Sequence, residues 1–117
     1  MALGFLATKA RPDVLTLPLP AELVPGLVGA LDHLRGSAAA ERGAELDALA
    51  RQLDGAGPLT GRCALLGELL AVAIEEAGDR IAQRGAALLR GEGSAVELRA
   101  PLAELGGLLD LHERVEA

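Results

Sequence analysis

The chain has 117 residues, half of them apolar, with seventeen acids against eleven lysines and arginines, for a net charge of −6. That is the size of one domain with its own core. The single Lys9 and ten scattered arginines do not form the clustered basic surface that gripping nucleic-acid phosphates requires. Leu (25 residues) and Ala (23) dominate, while Phe occurs once and Tyr and Trp not at all. Strong helix formers thus far outnumber the aromatic and β-branched residues that fill sheets.

Residues 1–12 show no period and read as a partly ordered arm ending at Pro12, before a single helical domain over residues 13–117. From Asp13 to Pro20 apolar residues alternate, with Leu15, Leu17 and Leu19 on one side, which predicts a strand. Pro18 and Pro20 lack amide donors and restrict it to an edge strand or an extended arm. A helix follows to Arg35, with Leu23, Leu27, Ala30, Leu31 and Leu34 at helical spacing, Pro25 in its first turn and Gly36 as its stop. Ser37 is a candidate cap for the next helix, residues 38–53, whose Leu46, Leu49, Ala50 and Leu53 form one apolar stripe.

Asp54-Gly-Ala-Gly-Pro58 reads as a loop, and Thr60 as the cap of a long helix to about Arg90, closed by Gly91 and Gly93. The first half of that helix is apolar nearly all round, which predicts a central, buried position. At Ser94 two signals conflict. Ser94-Ala-Val-Glu97 matches a capping box, but Pro101 follows and disfavours helical angles at Ala100. We therefore expect a short strand at residues 96–99, then a final helix over 101–115 carrying Leu102, Leu105, Leu108 and Leu109.

Residues 14–23 and 96–105 share a plan: an alternating segment, a proline region, then Ala-Glu-Leu opening a helix. Either this is coincidence in a chain rich in those residues, or the two segments pair with each other or across a dimer. The expected fold class is mainly α: a four-helix bundle-like domain with a long central helix and two short extended segments that can pair as a minor β-ribbon.

Candidate chemistry is sparse. The lone Cys63 cannot form an internal disulfide and has no identifiable base, so it reads as a small buried hydrophobe. Residues 1–11 lack the order of charge and apolarity of a signal peptide, and the most apolar window, 65–74, holds Glu68 and is half a bilayer span. A cytoplasmic protein that does not enter membranes is the expectation. Ser37 and Ser94 are the only serines, and no phosphate-binding or nucleophile-elbow motif occurs. His33 and His112 lack the spacing of paired metal ligands.

The long helix carries Glu68, Glu75, Glu76 and Asp79. Carboxylates stacked at separations of seven and four could hold Mg²⁺ or Mn²⁺, whereas a Glu76–Arg80 pair and solvated acids account for the same residues without a metal. Glu76-Ala-Gly-Asp79 is similar to the second ligand element of the all-α nucleotide pyrophosphohydrolases of the MazG type. The first element departs from that pattern, with Leu65 where its leading Glu belongs. Gly26, Gly29, Gly106 and Gly107 lie in predicted helices, where each costs about 1 kcal/mol relative to Ala, and suggest close approach between helices or subunits. The expected function is a non-enzymatic protein–protein interaction or oligomerisation domain, most simply a homodimer. The rival is a metal-dependent hydrolase using Glu68, Glu75, Glu76 and Asp79.

Overall fold

The computed structural model describes residues 13–37, 42–55 and 57–116. The expected arm over residues 1–12 lies outside the described residues. Among the described residues the elements run β1 (Val14–Leu17), a 3₁₀ turn (Ala21–Leu23), α1 (Val24–Ser37), α2 (Gly43–Gly55), β2 (Leu59–Arg62), α3 (Cys63–Leu89), a second 3₁₀ turn (Ala95–Leu98) and α4 (Arg99–Glu116). The fold is mainly α, with four helices and a minor two-stranded ribbon.

The ribbon pairs segments other than those expected. β1 runs antiparallel to β2, with Val14 opposite Arg62, Leu15 opposite Gly61, Thr16 opposite Thr60 and Leu17 opposite Leu59. Leu17 and Leu59 are directly opposed and fully buried, so the pairing delivers two leucines to one place in the core. Thr60 is therefore not a helix cap. Its side chain meets that of Thr16 at 2.9 Å, and the Gln52 amide engages its backbone on the other edge, accepting from Thr60 N–H at 2.6 Å and donating to its carbonyl at 3.0 Å.

Residues 96–98 are not a strand. The capping box is present in full: Ser94 accepts from Val96 N–H at 3.3 Å, and the Glu97 carboxylate accepts from Ser94 N–H at 2.7 Å. It opens a 3₁₀ turn that runs straight into α4. Pro101 does not end this helix, because as its third residue it lacks an N–H only where an intrahelical partner is missing anyway. Ser37 likewise closes α1 instead of opening α2, with its hydroxyl 3.4 Å from the carbonyls of His33 and Leu34. The start expected for α2 falls on residues 38–41, outside the described residues.

Other expectations hold. α1 has Pro25 in its first turn, and Leu23, Leu27, Ala30 and Leu31 face the core. α3 is the long central helix, packed against α1 on one side and α4 on another, with Leu65, Leu66, Leu69, Leu70, Ala73 and Ala77 buried. Gly91 and Gly93 end it with φ near +79° and +78°, which a side chain would resist. The core is almost entirely leucine, and among the described residues no polar or charged side chain is buried in it.

Candidate interaction face

α4 antiparallel to α3 is held in register by two contacts. Glu104 accepts from Arg80 at 2.9 Å, and Val115 lies 3.7 Å from where a Cβ on Gly67 would stand. At about 100° per residue, Pro101, Leu108, Leu111 and Val115 form the buried side of α4. Glu104 and Gly107 sit toward α1 and the turn before it. The Glu104 carboxylate occupies the space a Cβ on Gly26 would need, and Leu23 lies 3.1 Å from a Cβ position on Gly107. Of Gly26, Gly29, Gly106 and Gly107, two thus serve close approach within the chain.

Of the four leucines that the sequence places on the last helix, Leu108 faces the core, while Leu102 and Leu109 turn outward. They are 51% and 44% exposed, on the side of α4 opposite α1, while Leu105 between them is half-buried. The sequence signal for this was present but divided. Two stripes at three-four spacing run along α4, one through residues 101, 104, 108, 111 and 115, the other through 102, 105, 109, 112 and 116. Only one can face α3.

α3 continues the same surface. Glu76 and Arg80 project toward α1, where His33 lies 3.7 Å from Glu76. The opposite side carries Ala71, Glu75, Gly78, Ala82, Gly85 and Leu89, each exposed or half-buried, with Leu89 at 92%. A Cβ on Gly78, Gly85 or Gly106 would meet nothing within 4 Å, so packing within the chain does not call for glycine at these positions. The outward sides of α3 and α4 together make a surface two helices wide, with Leu89, Leu102 and Leu109 protruding from it.

The four acids proposed as metal ligands divide. Glu68 is exposed and pairs with Arg42 at 2.8 Å across to the start of α2. Glu76 faces His33. Glu75 and Asp79 are exposed on the outer side of α3. Among the described residues no three His, Cys, Asp or Glu side chains are grouped to hold a metal ion. His112 pairs with Glu116 at 3.1 Å, one turn along α4. Cys63 is half-buried against the leucine core, at the point where the β2 chain turns into α3.

The other polar structure is a set of clamps. Arg62 bonds Glu45 through two nitrogens, at 2.6 and 2.9 Å, and this hydrogen bonding holds the Glu45 carboxyl below the ordinary carboxylate range. Arg35 pairs with Asp47, tying α1 to α2. A shallow groove where α1, α3 and α4 meet is lined by Glu22, Pro25, Arg84 and the paired Arg80 and Glu104. No helix among the described residues is long and apolar enough to cross a membrane. No protein-family model, curated protein or solved structure matches the chain.

Proposed function

We propose that the protein acts by contact with another protein surface, through the outward side of α3 and α4. The observation that carries this reading is that Leu89, Leu102 and Leu109, 92%, 51% and 44% exposed, all stand on the outward side of α3 and α4, where packing within the chain leaves them uncovered. Single exposed leucines are ordinary, but several on one side of a small domain are a feature of interaction sites. The hinge between sequence and function is the second apolar stripe of α4, which the core leaves unused.

The test is the pair Leu102→Glu and Leu109→Glu in one chain. Both side chains already reach solvent, so helix content and melting temperature should stay close to wild type. Complexes captured from an extract by the wild-type chain should be absent with the variant. A melting temperature lowered by ten degrees or more, the size expected for losing about 2–3 kcal/mol of core packing in so small a domain, would place these leucines inside the fold and overturn the reading.

A further inference from the structure

We draw no further inference here: the strongest candidate, the outward side of α3 and α4 as the seat of one particular partner, belongs to the face already described, and nothing in the structure shows what covers Leu89, Leu102 and Leu109 there.

Discussion

Gly26 shows how a single missing Cβ positions charge. The Glu104 carboxylate enters the space beside α1 that only glycine leaves open, and from there it accepts from Arg80. The Glu104 side chain is 17% exposed and that of Arg80 39%, so the pair is partly shielded from water yet of modest worth, on the order of 1 kcal/mol or less. Alanine at position 26 would gain about 1 kcal/mol of helix propensity and displace the carboxylate. Gly26→Ala should therefore leave the stability of the wild-type chain nearly unchanged. In a Glu104→Ala background, where the space is vacant, it should stabilise by about 1 kcal/mol. A double-mutant cycle in urea measures the difference, and strict additivity would show that the two residues do not share that space.

At the scale of elements, ends are decided by backbone hydrogen bonds more than by apolar pattern. Residues 94–99 carry a capping box that satisfies amides at the start of a helical run, and Pro101 falls in the first turn, where its missing donor costs nothing. Ser94→Ala should lower stability by about 1 kcal/mol, read as a shift in the denaturation midpoint, because one backbone N–H loses its acceptor. The same logic makes β2. Leu59-Thr-Gly-Arg62 has no strand alternation of its own, and its extended form depends on β1 at one edge and the Gln52 amide at the other. A helix reading of Thr60 fails because these partners are distant in sequence.

For the molecule as a whole, glycine has two opposite effects that one substitution can separate. Gly78 lies in the middle of α3 with open space around it, so Gly78→Ala should stabilise the isolated chain by about 1 kcal/mol. On the proposed reading, in which the outward side of α3 meets another protein surface, the same methyl should weaken association. Urea unfolding of Gly78→Ala in the Leu102→Glu/Leu109→Glu background measures the first effect, and capture of complexes from an extract by Gly78→Ala alone the second. A change of the same sign in both would contradict close approach at this level.

The helices, their approximate bounds, the place of Pro25 and the glycine stop after α3 were legible in the sequence, because each depends on residues within a few positions of one another. So was the acidic run on α3, as a set of residues, but not its arrangement: Glu68 is drawn to Arg42 of α2 and Glu76 toward His33 of α1. Which extended segment pairs with β1, and which apolar stripe of α4 turns inward, were open to the tertiary structure alone. An amphipathic pattern fixes the angle between two stripes but not which one meets a neighbour. For Leu102 and Leu109 that choice is set by the packing of α4 against α3 and by Glu104 reaching over Gly26 toward Arg80, and it is what leaves an apolar face open on the outside of the domain.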